Sequence, residues 1–279
     1  MSQAVPEIAR LAAQARRIET PCAEGVTVWH VWGEGRPLVL LHGGSGSWTH
    51  WARNVEWFAG RGFRVIVPDL PGSGDSAKPP GGEDADSIPP WIEQGLAQAI
   101  VGDEPVDVVA FSFGTLVGTL LAHDYPERVR RLVLAGPPVL RHNPPPFVGL
   151  RAWRDAPPGP ERDAVHRHNL CVFMFAREAS ADALAIETHA RNLERDRMTR
   201  RKLSQTSLLH DTIRRLRVPL HLVSGELDVL YRDKWDTINA SLDEVTCLRS
   251  RQVIAGAGHW VQYEEADAFN HAVLTILKD

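Results

Sequence analysis

The chain contains several short runs of apolar residues that alternate with longer stretches of helical character. Residues 37–41, 64–68, 106–111 and 218–224 are nearly continuous apolar runs, as expected of strands that are covered on both faces. The pattern predicts further strands at 26–32, 131–135 and 247–254, and helices at about 48–59, 91–101, 112–125 and 265–277. This alternation predicts an α/β protein, a three-layer α/β/α sandwich around a mostly parallel sheet.

The alternation of strands and helices stops between Gly136 and Arg215, where no buried strand run is found. Helices are predicted in this part of the chain at 181–193 and 198–209. An interruption of this length between two strands is typical of an inserted piece, so we expect a helical lid at residues 137–215.

The rest of the chain is predicted to form one core domain from residues 25–136 and 216–279, preceded by an N-terminal helical extension at residues 1–24. Four apolar residues of this extension lie along one face of a helix: Ile8, Leu11, Ala15 and Ile18. An apolar face of this kind packs against another surface. We expect the helix to dock on the core domain or on a second subunit of a homo-oligomer.

Composition excludes several classes of protein. The 279 residues carry a formal net charge of −4, with 43% hydrophobic and 24% charged residues, which is ordinary for a globular protein and gives no electrostatic reason to expect nucleic acid as a partner. No apolar stretch is long enough to span a membrane, and the N-terminus lacks a secretory core. The three cysteines, Cys22, Cys171 and Cys247, are far apart. We expect free thiols in a reducing cytoplasm, no metal site and no cofactor.

The strongest chemical signal is the segment from Ala110 to Gly114, which reads Ala-Phe-Ser-Phe-Gly and joins a predicted strand to a predicted helix. Small residues two positions before and after a serine allow the tight turn of a nucleophile elbow, with Ala110 here in place of the usual first glycine. Ser112 is therefore the candidate nucleophile. The alternative is a serine that only caps the following helix.

A serine hydroxyl needs a base to accept its proton, and the base needs an acid to orient it. His259 lies in a glycine-rich turn after the last predicted strand, and is the candidate base. Asp228, in the turn after the strand at 218–224, is the candidate acid, with Glu226 as its competitor. A tetrahedral intermediate also needs two N–H donors. We expect them from Phe113 and Gly44, although the glycines near Gly44 could also form a plain tight turn.

These motifs together resemble the α/β-hydrolase fold family over nearly the whole chain. The resemblance rests on Leu-His-Gly-Gly at 41–44, Asp-x-Pro-Gly-x-Gly-x-Ser at 69–76, the elbow, and Gly-His-Trp at 258–260. Serine, acid and histidine also follow one another in the family's order. The tail after His259 is similar to that of the meta-cleavage product hydrolases, which split a carbon–carbon bond in ring-fission products. The length of the lid matches theirs as well.

The lid and the aromatic residues indicate the kind of substrate. Residues 136–215 contain fourteen Lys and Arg against nine Asp and Glu, so the lid could attract a small carboxylate, or these charges could form only a solvated face. Arg191 is predicted to point inward. Aromatic side chains that could line an apolar site, or else pack in the core, are Phe111, Phe113, Trp153 and Trp260.

The elbow of the meta-cleavage product hydrolases carries an asparagine where this chain has Phe111, and an apolar side chain cannot hydrogen-bond a dienol substrate. We therefore predict a serine hydrolase that acts on a small, partly apolar carboxylic ester. Carbon–carbon hydrolysis of a 2-hydroxy-6-oxo-dienoate is the alternative. A cofactor-free perhydrolase or haloperoxidase, and a non-catalytic small-molecule receptor, are further alternatives.

Overall fold

The computed structural model describes residues 4–82, 84–100, 102–138, 149–198 and 200–278. The strands are β1 (Arg16–Cys22), β2 (Gly25–Trp32), β3 (Arg36–Leu41), β4 (Phe63–Pro68), β5 (Val106–Phe111), β6 (Val129–Ala135), β7 (Leu220–Gly225) and β8 (Leu248–Ile254). The helices are α1 (Ala4–Gln14), α2 (Val55–Ala59), α3 (Pro89–Gly95), α4 (Phe113–Asp124), α5 (Pro160–Phe173), α6 (Ala183–Glu194), α7 (Leu208–Ile213), α8 (Trp235–Leu242), α9 (Val261–Glu264) and α10 (Ala266–Lys278).

All eight strands form one sheet in the order β1-β2-β4-β3-β5-β6-β7-β8. The six strands from β3 to β8 are parallel to one another, whereas β2 pairs antiparallel with both β1 and β4. Alternate residues of one strand enter separate buried clusters: Leu38 and Leu40 of β3 belong to one, and Val39 and Leu41 to the other. The sheet is thus covered on both faces, and the predicted α/β/α sandwich is confirmed.

The N-terminal extension is helical only in its first part. Helix α1 buries Ile8 and Leu11, and the carbonyl of Leu11 accepts a hydrogen bond from the indole of Trp32 at 2.9 Å. The expectation of helix through residue 24 is wrong for residues 16–22, which form β1 at the edge of the sheet and pair with β2. The reason is the alternating burial of this segment, which places Thr20 and Cys22 inside and satisfies the backbone by strand pairing.

The segment between β6 and β7, which we call the lid, contains no strand among its described residues, 137–138, 149–198 and 200–215. Helix α6 agrees with the predicted helix at 181–193. The predicted helix at 198–209 is wrong, because this part of the chain forms a short 3-10 turn at Leu203–Gln205 followed by α7. The carboxylate of Asp84 accepts the N–H groups of residues 202 and 203, so these donors are used outside a helix.

Two further predictions concern membrane-spanning segments and the three cysteines. Within the described residues, no helix has the length and apolar character needed to cross a membrane. Cys22, Cys171 and Cys247 are free thiols, and burial raises the pKa of each.

Candidate active site

Ser112 lies at a strained turn between the end of β5 and the start of α4. Its φ of 48° and ψ of −119° place it in a region that non-glycine residues rarely adopt. A Cβ atom on Gly114 would lie 2.5 Å from the carbonyl oxygen of His42, so the position two residues after the serine must be glycine. Ala110 is fully buried and fits at the other small position. The local sequence therefore presents the serine hydroxyl at the carboxyl edge of the sheet, where ligand sites of such sheets lie.

The structure brings Ser112, His259 and Asp228 together in one hydrogen-bonded line. Nε2 of His259 lies 2.9 Å from Oγ of Ser112, and Nδ1 of His259 lies 2.9 Å from Oδ2 of Asp228. His259 and Asp228 are completely buried. The other oxygen of Asp228 accepts the N–H of Leu230 at 2.9 Å. These contacts fix the carboxylate and orient the imidazole with one nitrogen toward the serine.

The competing acid, Glu226, does not reach His259. Its carboxylate instead accepts the backbone N–H of Gly256 at 2.9 Å near the protein surface. Of the two carboxylates in the turn after β7, only that of Asp228 contacts the imidazole.

Two aromatic rings pack on the imidazole of His259. The ring of Phe111 lies 5.1 Å from it and the ring of Phe173 lies 4.8 Å from it, measured between centroids. Phe173 is the last residue of α5, so the lid contributes directly to the surroundings of the histidine. Sequence analysis missed Phe173 because its helix was not predicted.

The turn after β3 is held by the buried imidazole of His42. Nδ1 of His42 lies 2.7 Å from the carbonyl oxygen of Gly43, and Nε2 accepts the N–H of Leu70 at 2.9 Å. These partners select the neutral imidazole with its proton on Nδ1, and burial lowers the pKa of His42 to about 4. The turn places Gly44 on the same cavity as Ser112 and Phe113, so the two residues predicted to donate N–H groups to an oxyanion flank the nucleophile.

A cavity of about 290 Å³ opens above Ser112. Apolar side chains from the elbow and the lid cover much of its surface, and one guanidinium group adds a positive charge. Its walls include Gly44, Phe111, Phe113, Phe173, Arg201 and Leu230. The cavity is large enough for a small molecule, and lid residues form part of its wall.

Three residues predicted to line the substrate site lie elsewhere. Trp153 packs against His166, with ring centroids 5.5 Å apart, on the lid. Trp260 is completely buried in the core, where its indole donates to the carbonyl of His50 at 3.1 Å. Arg191 points outward, with its side chain 56% exposed and 3.6 Å from Glu187.

The cause of the error at Arg191 is the orientation of α6. The neighbouring residue Asn192 lies on the buried face of this helix, where it bonds to Ser47 at 2.7 Å. Arg191 is rotated by about 100° from Asn192 around the helix axis. Burial at Ala185, Ile186, Thr188 and Asn192 shows that the inward face of the helix leaves Arg191 outside.

The arginine that faces the cavity is Arg201. Its guanidinium donates to both oxygens of Asp196, at 3.1 and 2.8 Å, and to Oγ of Ser45 at 2.7 Å. It also lies over the ring of Phe113, with 5.5 Å from Cζ to the ring centroid. The only signal in the sequence was the basic run at residues 200–202, which does not indicate which of its members points inward.

Comparison with known proteins supports the fold. Residues 36–164 match the family model described as alpha/beta hydrolase fold. The chain is 28% identical over 264 residues to a 2-hydroxy-6-oxo-6-phenylhexa-2,4-dienoate hydrolase of Burkholderia cepacia, covering 88% of each chain. It is 27% identical over 268 residues to a 2-hydroxy-6-oxononadienedioate/2-hydroxy-6-oxononatrienedioate hydrolase of Comamonas testosteroni, again covering 88% of each.

Among solved structures, a meta-cleavage product hydrolase from Pseudomonas fluorescens superposes with a TM-score of 0.74 at 23% identity, over 94% of this chain and 97% of that chain. The chain has the α/β-hydrolase fold, as predicted, and its resemblance to the meta-cleavage product hydrolases is confirmed. Both relatives are named as hydrolases of 2-hydroxy-6-oxo compounds, the substrate class that the sequence analysis gave as its alternative to an ester.

Proposed function

We propose that this chain, a hydrolase of the α/β-hydrolase fold, cleaves the carbon–carbon bond beside the ketone of a small 2-hydroxy-6-oxo-dienoate. The observation that carries the proposal is the line of hydrogen bonds from Asp228 through His259 to Ser112, with 2.9 Å at each step, below a cavity that Arg201 lines. The names of the two relatives with 88% coverage support the choice of substrate class.

Ser112 would act as the nucleophile. Its Oγ attacks the ketone carbon of the substrate while its proton passes to Nε2 of His259, and Asp228 stabilises the imidazolium that forms. The carbonyl oxygen becomes an oxyanion, which the N–H groups of Gly44 and Phe113 stabilise. The N–H of Phe113, the residue after the nucleophile, lies at the start of α4, where N–H groups have no partners within the helix.

A carbon leaving group requires one step more than an alkoxide. The proton of the 2-hydroxyl group first moves to carbon 5 of the substrate, which converts the dienol into a ketone. Collapse of the oxyanion then breaks the bond between carbons 5 and 6, and the electron pair leaves on carbon 5 as an enolate that takes the proton from His259. Water attacks the acyl group left on Ser112 while one of its protons passes to His259. The bond between the acyl carbon and Oγ of Ser112 then breaks, His259 returns the proton to Oγ, and a carboxylic acid is released.

Arg201 would recognise the substrate carboxylate in place of the predicted Arg191. Three of its terminal N–H groups donate to Asp196 and Ser45, which fixes the plane of the guanidinium at the cavity wall. Its Nε lies 3.3 Å from the point where a Cβ on Gly44 would stand, so the guanidinium lies beside Gly44, one of the two proposed oxyanion donors. An arginine held in this way binds a carboxylate with little loss of side-chain entropy.

Ester hydrolysis is the second candidate, and Phe111 favours it. This residue precedes the nucleophile and packs its ring against His259, so it offers no hydrogen bond to a dienol. An ester needs no ketonisation and requires only one proton from His259 for its alkoxide. The same side chains could therefore carry out either reaction.

Kinetics on a matched pair of substrates tests the proposal. We expect kcat/KM for 2-hydroxy-6-oxo-6-phenylhexa-2,4-dienoate to exceed that for an aryl ester of similar size by at least about 100-fold, which is some 2.7 kcal/mol in transition-state stabilisation. A preference for the ester would overturn the proposal in favour of the second candidate.

A further inference from the structure

Glu264, in the short helix α9, has a buried carboxylate that takes no part in the proposed proton transfer. Its side chain is completely shielded from solvent. One oxygen accepts the backbone N–H of Gly258 at 2.7 Å, and the other accepts the N–H of Arg177 at 2.9 Å and the hydroxyl of Ser180 at 2.8 Å. The N–H of Ala176 reaches both oxygens, at 3.1 and 3.0 Å.

These donors come from two separate parts of the chain. Gly258 is the residue immediately before His259, whereas Ala176, Arg177 and Ser180 belong to the lid just after α5. The residue immediately after His259 is also bonded to the lid, because the N–H of Trp260 donates to the carbonyl of Met174 at 2.8 Å. Both neighbours of His259 in the chain are therefore attached to the same lid segment.

The two segments approach each other backbone to backbone. A Cβ on Gly258 would lie 2.6 Å from the N atom of Ala176 and 2.9 Å from the carbonyl oxygen of Met174, so only glycine permits this contact. The same lid segment follows directly from Phe173, whose ring covers the imidazole of His259 at 4.8 Å. The positions of the imidazole of His259 and of the Phe173 ring thus both depend on the contact between Gly258 and the lid backbone.

We propose that Glu264 is a positioning residue for His259, which it holds between Ser112 and Asp228 by joining the N–H of Gly258 to the lid backbone at residues 176–177. The inference rests on the proposed roles of Ser112 and His259. A carboxylate suits this position because both of its oxygens accept. The NH2 group of a glutamine would face either the N–H of Gly258 or the N–H groups of the lid. Two donors cannot bond to each other, so the contact between Gly258 and the lid would be lost on that side.

The reaction of Ser112 with a p-nitrophenyl alkylphosphonate tests the inference without the natural substrate. Saturation kinetics give a binding constant and a maximal inactivation rate, and mass spectrometry locates the label. In Glu264→Gln we expect the maximal rate to fall by at least about 10-fold while the binding constant changes by less than about 3-fold. The matched control is Glu265→Gln, because Glu265 is the next residue and also contacts Arg177, but does not contact the turn at Gly258. Its rate should stay within about twofold of the wild-type rate.

The outcomes separate this inference from the proposed function. If the wild-type chain is not labelled at Ser112, the proposed function fails. If the wild-type chain is labelled and a folded Glu264→Gln variant reacts at the same rate, the positioning role fails. Should Glu264→Gln not fold, Ser180→Ala removes a single lid contact. We then expect its maximal rate to fall severalfold, and an unchanged rate would overturn the inference.

Discussion

Phe173 of the lid packs its ring on the imidazole of His259, with 4.8 Å between the centroids. The ring of Phe111, the last residue of β5, also packs on this imidazole, with 5.1 Å between the centroids. The proposed base is thus enclosed by apolar rings and touches polar groups at its two nitrogens, toward Asp228 and Ser112. Because His259 is buried, the hydrogen bond that its Nδ1–H donates to the carboxylate of Asp228 sets both the tautomer and the orientation of the ring.

The first prediction concerns the acid. Asp228→Asn should lower kcat by roughly 10⁴-fold, because an amide favours the wrong imidazole tautomer. Glu226→Gln should change kcat by less than about threefold, since the carboxylate of Glu226 accepts the backbone N–H of Gly256 and does not reach His259. Steady-state kinetics of the two variants on one substrate provide the check. A large loss in Glu226→Gln with an active Asp228→Asn would mean that the acid has been assigned to the wrong carboxylate.

The second prediction concerns recognition of the substrate carboxylate. Arg201→Ala should raise KM for anionic substrates about 10-fold or more and leave KM for neutral esters within about threefold, because the lost charge acts only on an anion. Arg191→Ala is the matched control, since Arg191 is on the outer face of α6 and should have little effect on either. If Arg191→Ala alone impairs the anionic substrate, the lid must rearrange when it binds.

The third prediction concerns stability at mildly acid pH. Burial lowers the pKa of His42 and that of His30 to about 4 each, against about 6.5 in an unfolded chain. As the pH falls below about 6.5, these two histidines become protonated in the unfolded chain but stay neutral in the folded chain. The free energy of unfolding therefore decreases. Each group should lower the free energy of unfolding by about 1 kcal/mol between pH 6.5 and pH 5.5.

Urea unfolding at several pH values measures this loss of stability. Asp69 works against it over part of the range, because burial raises the pKa of its carboxyl to about 7, so its protonation favours the folded state below that pH. Replacing Asp69 by Asn removes this opposing contribution, and the loss of stability from pH 7.5 to pH 5.5 should become larger. A midpoint that does not change with pH in Asp69→Asn would show that the buried histidines titrate normally.

The features that sequence predicted are those fixed by local rules. The buried strands appear as apolar runs, and the elbow needs small residues around Ser112, so both could be located before the structure. Asp228 and His259 follow from the same logic, since the ends of parallel strands meet at one edge of the sheet.

What sequence could not predict depends on packing between distant segments. Arg191 and Asn192 are adjacent, and only the contact of α6 with Ser47 decides which of them points inward. Strand β1 was missed because its short polar sequence becomes a strand by pairing with β2. Glu264 is distinguished by donors from the lid, more than eighty residues earlier in the chain, and no pattern near Glu264 indicates them.

The most direct test of the central claim is turnover of the dienoate by Ser112→Ala. We predict that kcat falls by at least roughly 10³-fold, because the members of such a triad act as a unit, while circular dichroism and the unfolding midpoint stay close to those of the wild type. A folded alanine variant that retains a tenth or more of the wild-type kcat would contradict the assignment of Ser112 as the nucleophile, and with it the proposed reaction.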